Sequence, residues 1–268
     1  MHNSIEEALR GVQVIDDVSV TTKDILWKQC RRQTIGVIAL SVALAVADFF
    51  IFNAGGILIF FILPLCIWYG YGIQTIVHRQ FMQQFANANG FIFSNAGTIK
   101  GEVGALFSIG RDRSISNIIS GSFKDRPLRL FNYQYTTGSG KSSNVHYLTV
   151  FDLEFKTTLS RMYLDARQDG EFIADSVQKI ELESNEFREH FSLYITPGKQ
   201  IEALQVFTPD LMAELIDLPN KYDIELVGNQ IYIYADGTIQ TKTGLKNLYT
   251  VAQHVITNVG LVAERIKY

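Results

Sequence analysis

The sequence predicts an α+β protein: an N-terminal two-helix transmembrane hairpin followed by a soluble antiparallel-sheet domain with late helices and a closing C-terminal helix. Three observations predict it. Two apolar runs near the N-terminus flank the turn-forming string Asn53-Ala54-Gly55-Gly56. Residues 115–166 carry short β-rich segments separated by turn signals. The last part of the chain carries helix-start signals and one long apolar stripe at helical spacing.

The hairpin covers residues 34–77, with spans at residues 34–52 and 56–77. The first holds a single charge, Asp48, and the second holds none. A helix needs about 20 apolar residues to cross the hydrocarbon core, and each run is of that order. Lys23, Lys28, Arg31 and Arg32 precede the first span, and Arg79 follows the second. The turn between them has no Lys or Arg. The positive-inside rule therefore places both termini in the cytoplasm of a multi-pass inner cell membrane protein. Trp27, Trp68, Tyr69 and Tyr71 fall near the predicted cytoplasmic boundary. Asp48 sits about one turn from the outer boundary, where its carboxylate reaches water, so it is not read as an ion site. Pro64 predicts a kink in the second span.

Residues 1–33 read as a cytosolic amphipathic segment. Ser4 and Glu7 fit a capping box, and Thr21 or Thr22 caps a second helix that enters the membrane. Cys30, beside Arg31 and Arg32, reads as a free thiol rather than an acylation site. The other cysteine, Cys66, lies within the second span, so the soluble domain has no disulfide of its own.

Residues 80–268 form the cytosolic α+β domain, long enough to build one core. Residues 81–88 read as a helix closed by Asn89-Gly90. Strands are predicted at 118–123, 128–135, 147–155 and 161–165, where Phe131, Tyr133 and Tyr135 alternate with Asn132 and Gln134. Residues 180–183 and 191–195 read as short strands, and residues 199–207 as a helix. Thr208 then caps a second helix with Pro209 at its first position, ending near Leu218-Pro219. Residues 224–227 and 230–234 read as a hairpin turning at Gly228-Asn229. The closing helix spans about residues 245–266, with Leu245, Leu248, Ala252, Val255, Val259 and Val262 on its buried face.

Three stretches carry a family resemblance. The first is Ile118-Ile119-Ser120-Gly121 followed by Leu128-Arg129-Leu130-Phe131-Asn132-Tyr133. The second is Thr137-Gly138-Ser139-Gly140-Lys141 leading into Tyr147-Leu148-Thr149-Val150-Phe151. The third is Leu182-Glu183-Ser184-Asn185-Glu186-Phe187 with Phe191, then Phe207-Thr208-Pro209-Asp210-Leu211-Met212. In order and spacing they resemble the bacterial membrane-anchored family known as domain of unknown function 3137, over roughly residues 80–235. The resemblance implies a membrane-associated bacterial protein; it carries over no activity and no site residues.

Composition narrows the function classes. The formal net charge is -3 and Lys and Arg are scattered, so no basic stripe predicts a nucleic-acid partner. Gly138-Ser139-Gly140-Lys141-Ser142 approaches a phosphate loop, but Tyr135 stands where the motif needs its first Gly, and a strand follows in place of a helix. A hairpin tip is the better reading. His2, His78, His146, His190 and His254 show no metal-ligand spacing. No residue is assigned a catalytic, cofactor-binding or metal-binding role. The expected partners are the lipid bilayer and another membrane protein. The leading functional reading is a membrane-anchored module that binds a protein or the membrane surface without catalysis. Two alternatives stand beside it. One is a hydrolase or transferase with dispersed catalytic residues. The other is an accessory subunit of a transporter, packing through Ser41 and the alanines at 39, 43, 45 and 47.

Overall fold

The computed structural model describes residues 31–52, 65, 67, 73–99, 101–123, 126–166, 174–219 and 221–265. The predicted N-terminal caps, Cys30, Cys66, Pro64 and the turn at residues 53–56 lie outside them. The chain divides into two compact units, one ending at Phe85 and the other continuing from Ala86.

In the first unit, residues Arg31–Phe52 form one helix of 22 residues, α1. Ile35, Ile38, Leu40, Val42, Leu44 and Val46 stand exposed on it. Ser41 is buried, and its hydroxyl donates to the Val37 carbonyl at 2.8 Å. Among the described residues no helix is long and apolar enough to cross a membrane. Of the second predicted span, Leu65 and Ile67 are helical, and helix α2 starts at its end, Ile73–Ala88. That helix closes as expected: Gly90 takes φ 66°, and the Phe91 amide donates to the Ala86 carbonyl at 2.8 Å.

The second unit is built on an antiparallel sheet of seven strands. In chain order these are β1 (Ile92–Gly97), β2 (Arg111–Phe123), β3 (Arg126–Thr137), β4 (Asn144–Asp165), β5 (Gln178–Ile180), β6 (Ser192–Ile195) and β7 (Asp223–Asp236). The helices among them are α3 (Asn185–His190), α4 (Gln200–Val206), α5 (Pro209–Asp217) and α6 (Lys242–Arg265). β3 pairs with the first half of β4, from Leu128↔Leu153 to Thr137↔Asn144. β6 pairs with its last residues, from Met162↔Ile195 to Asp165↔Ser192. β7 runs beside both halves, from Leu148↔Asp236 to Leu164↔Ile224.

This central strand corrects two expectations. The segments at 147–155 and 161–165 are not separate strands but parts of β4, which has 22 residues. The predicted hairpin at Gly228-Asn229 is likewise one strand, β7, of 14 residues. Gly228 has φ 60° and lies opposite Leu159, where the β4–β7 register shifts. A glycine with positive φ inside a strand makes a bulge when the partner strand is long enough to pair on both sides of it. Polar Lys156, Thr157 and Thr158 occupy the same irregularity on β4, which is why the pattern looked broken there.

Both faces of the sheet are covered. On one, α6 packs with Leu245, Leu248, Ala252, Val255 and Val259 buried, the stripe read from the sequence. Tyr249 meets Phe151 and Phe123 edge-on, with ring centroids at 5.2 and 5.7 Å. On the other face a 3-10 turn, Ala105–Ser108, places Leu106 and Phe107 over Tyr133, Tyr135, Tyr232 and Tyr234. Neither this turn nor β1 was expected from the sequence. The exposed pattern of β1 hides the usual alternation, and the turn is too short for a periodic signal.

Candidate binding groove and buried carboxylate network

A groove of about 770 Å³ lies between the loop after β5 and helices α3, α4 and α5. Its size is that of a ligand or side-chain recognition site. Local capping fixes its walls. The Ser184 hydroxyl accepts from the Phe187 amide at 3.2 Å and starts α3. Thr208 accepts from the Leu211 amide at 3.3 Å and starts α5, with Pro209 at the first helical position as predicted. Leu182, Phe207 and Met212 form an apolar floor and are themselves buried. Leu204 projects on the lip and is 50% exposed.

The rim is acidic. Glu181, Glu183, Glu186 and Asp217 all line it, and all four are exposed. Arg188 is engaged by Glu181 at 2.9 Å. The Lys221 ammonium donates to the Ile216 and Leu218 carbonyls, closing the end of α5. Among the described residues Glu183, Glu186 and Asp217 have no basic partner. The sequence reading assigned no site here, although both strings of the third family-like stretch supply lining residues. The missing signal was tertiary: the strings are some twenty residues apart in the chain, with β6 and α4 between them. Between the strands predicted at 180–183 and 191–195, where the sequence reading assigned no element, lies α3.

A second cluster is buried under the 3-10 turn. The Ala105 amide donates to both Glu225 carboxylate oxygens, at 2.8 and 3.0 Å. The Tyr234 hydroxyl donates to Glu225 Oε2 at 2.9 Å, and Arg161 Nε lies 3.6 Å from Oε1. Burial pushes the Glu225 carboxyl up, against the Tyr234 hydroxyl, the Ala105 amide and Arg161, which pull it down. Arg161 also donates to the Val103 carbonyl at 2.8 Å, and Arg113 donates to the Phe107 carbonyl. Arg129 bridges Glu102, at 2.8 Å, and Asp152, to which its Nε donates at 2.8 Å. Burial raises the Asp152 carboxyl to about 6, with Arg129 opposing the rise. These groups tie residues 102–107 to the sheet. Glu225 is fully buried, so the arrangement serves as a latch rather than a surface open to substrate.

The motifs tested in the sequence stay apart. Gly138, Gly140 and Lys141 sit at the exposed β3–β4 hairpin tip, where Gly138 and Gly140 have φ 73° and 57°. His146 stacks on Tyr135 at 4.6 Å and contacts Thr137 Oγ1 at 2.8 Å. His254 lies 2.6 Å from Glu214, and His190 ends α3. His78 is buried in α2, and His2 lies outside the described residues. Among the described residues no group of three or more His, Cys, Asp or Glu is arranged to hold a metal ion.

No family model matches the chain, and no curated protein matches it. Among solved structures the chain is similar to that of the mycobacterial trehalose monomycolate transport factor A. The TM-score is 0.50 and the sequence identity 14%, over 67% of this chain and 94% of that one. At that identity the likeness is one of fold: the chain shares its α+β architecture with the transport factor over about two thirds of its length.

Proposed function

We propose that this protein is a membrane-anchored, non-catalytic module that binds another membrane protein through the groove beside α3, α4 and α5. The observation that carries this reading is the groove itself: a recess open to solvent above a buried apolar floor, with an exposed leucine on its lip and a ring of carboxylates. Open apolar recesses rimmed by polar residues mark interaction sites. The anchor is residues 34–77, with both termini cytoplasmic. The six exposed aliphatic side chains on α1 support it, because a helix that shows such a surface needs an apolar surrounding. Membership of the family known as domain of unknown function 3137 belongs to the same proposal.

A transport-associated accessory role is the second reading. The fold shared with a transport factor favours it, and the small residues of α1 would let a larger helix approach closely.

Photo-crosslinking in cells tests the binding reading. A crosslinker at Ala213, on the groove, is expected to trap a defined membrane protein, and one at Ser139, on the hairpin tip, is not. Equal yields from the two positions, or none from Ala213, would overturn it. Cysteine labelling tests the topology. A thiol at Ser139 is expected to stay closed to an impermeant reagent until the membrane is broken, and labelling in intact cells would reverse the orientation.

A further inference from the structure

We infer that the occupant of the groove is a cationic amphipathic helix of the partner, with apolar residues on one face and Lys or Arg beside them. The inference rests on the binding reading above and adds the chemistry of what is bound. Two properties of the groove select it. The first is charge. Glu183, Glu186 and Asp217 stand around the apolar floor with no basic partner among the described residues, and the neighbouring Arg188 and Lys221 are already engaged. An apolar segment flanked by acids would bring like charges together as it docked, whereas one flanked by Lys or Arg is drawn in.

The second property is the backbone of the walls. Seven of the twelve lining residues lie on α3, α4 and α5, whose backbone groups bond along each helix, and Ser184 and Thr208 cap the starts of α3 and α5. An extended peptide gains its affinity by adding to a sheet edge, and helical walls offer no row of free backbone groups for that. An occupant that desolvates its own backbone here must satisfy it internally, which a helix does. The apolar floor then receives side chains at helical spacing while the rim carboxylates meet the flanking cations.

The test uses the full chain in nonionic detergent and three synthetic peptides. One is a Leu/Lys helix with a single apolar face. The second has the same composition in scrambled order, so that no face forms. The third is the helix with Glu in place of Lys. Binding is read by fluorescence anisotropy, with empty micelles as the blank, and a photoreactive residue in each peptide reports where it lands. The Leu/Lys helix is expected to bind and to crosslink to α5. The other two are expected to bind at least about tenfold more weakly. Glu183→Lys with Glu186→Lys is expected to cut the affinity of the Leu/Lys helix by at least about tenfold. Leu204→Ser should weaken it as well; both changes are at exposed positions and leave the core intact. Equal binding of the scrambled peptide, no effect of the charge reversal, or no binding by any peptide would overturn the inference. Crosslinking of the Leu/Glu helix to the groove would also overturn it, yet would leave the groove as a binding site. Failure of the in-cell crosslink from Ala213 would instead remove the binding reading itself.

Discussion

Tyr234 donates its hydroxyl hydrogen to the carboxylate of Glu225 at 2.9 Å, and the two residues lie on the same strand with both side chains buried. The bulge at Gly228 between them changes the alternation of β7, so residues nine positions apart come to share a face. The pair holds the 3-10 turn through the Ala105 amide. Tyr234→Phe should therefore cost about 1–3 kcal/mol of unfolding free energy, the usual effect of removing one partner of a buried polar group. Glu225→Leu should cost more, about 2–5 kcal/mol, because it leaves two buried donors, the Ala105 amide and the Tyr234 hydroxyl, without their acceptor. Urea denaturation of the two variants beside the wild type measures both. Equal stabilities for all three would refute the latch.

Asp152 gives a pH dependence whose sign is fixed. Burial raises its carboxyl in the folded protein to about 6, above the roughly 3.9 of an unfolded chain. The native state therefore binds more protons than the unfolded one between about pH 4 and 6, and stability falls as pH rises through that window. The loss amounts to about 3 kcal/mol at most. Asp152→Asn removes the titration. The wild type should lose more stability than this variant between pH 4.5 and 7, as read from urea midpoints. A stability difference that is the same at both pH values would contradict the assignment.

Gly228 separates the bulge from the hairpin reading. With φ 60° and open space where a Cβ would stand, Gly228→Ala meets only backbone strain. The expected cost is about 1–2 kcal/mol, the penalty of the left-handed region for an L-residue. Amide exchange should show Leu226 and Ile231 protected alike on both sides of the glycine, as one strand requires. Fast exchange at both positions would contradict their pairing with β4.

Lys141 closes the nucleotide question. A phosphate cradle needs backbone amides converging at a helix N-terminus, and this lysine sits on a hairpin tip between β3 and β4. Calorimetry with ATP or GTP and Mg²⁺ is expected to show no binding, in the wild type or in Lys141→Ala. Micromolar binding abolished by the substitution would bring nucleotide chemistry to the front.

The parts of the fold legible in the sequence were those with a local cause. Thr208 and Pro209 mark the start of α5 by capping chemistry, Gly90 marks the end of α2 by its backbone freedom, and Phe131, Tyr133 and Tyr135 mark β3 by strand period. Ser184 carries a usable cap signal for α3 that the sequence reading did not use. What stayed hidden depends on distant partners. The continuity of β4 across Lys156–Thr158 becomes visible only with β7 beside it. The groove needs Leu182 and Met212 brought together on one floor, and Glu225 looks like any strand-edge carboxylate until Ala105 arrives from 120 positions away.

The length of β4 also sets an order of assembly. Its first half can pair with β3 as soon as the hairpin leaves the ribosome, but the opposite edge must wait for β7, which begins at Asp223. Translation of the intervening chain takes roughly 3–12 s. Throughout that interval a 22-residue strand keeps one edge open, a template for pairing with another chain. A growing chain already inserted in a membrane by residues 34–77 would be spaced from its neighbours during those seconds, so the proposed anchor would also act as a guard against aggregation at birth.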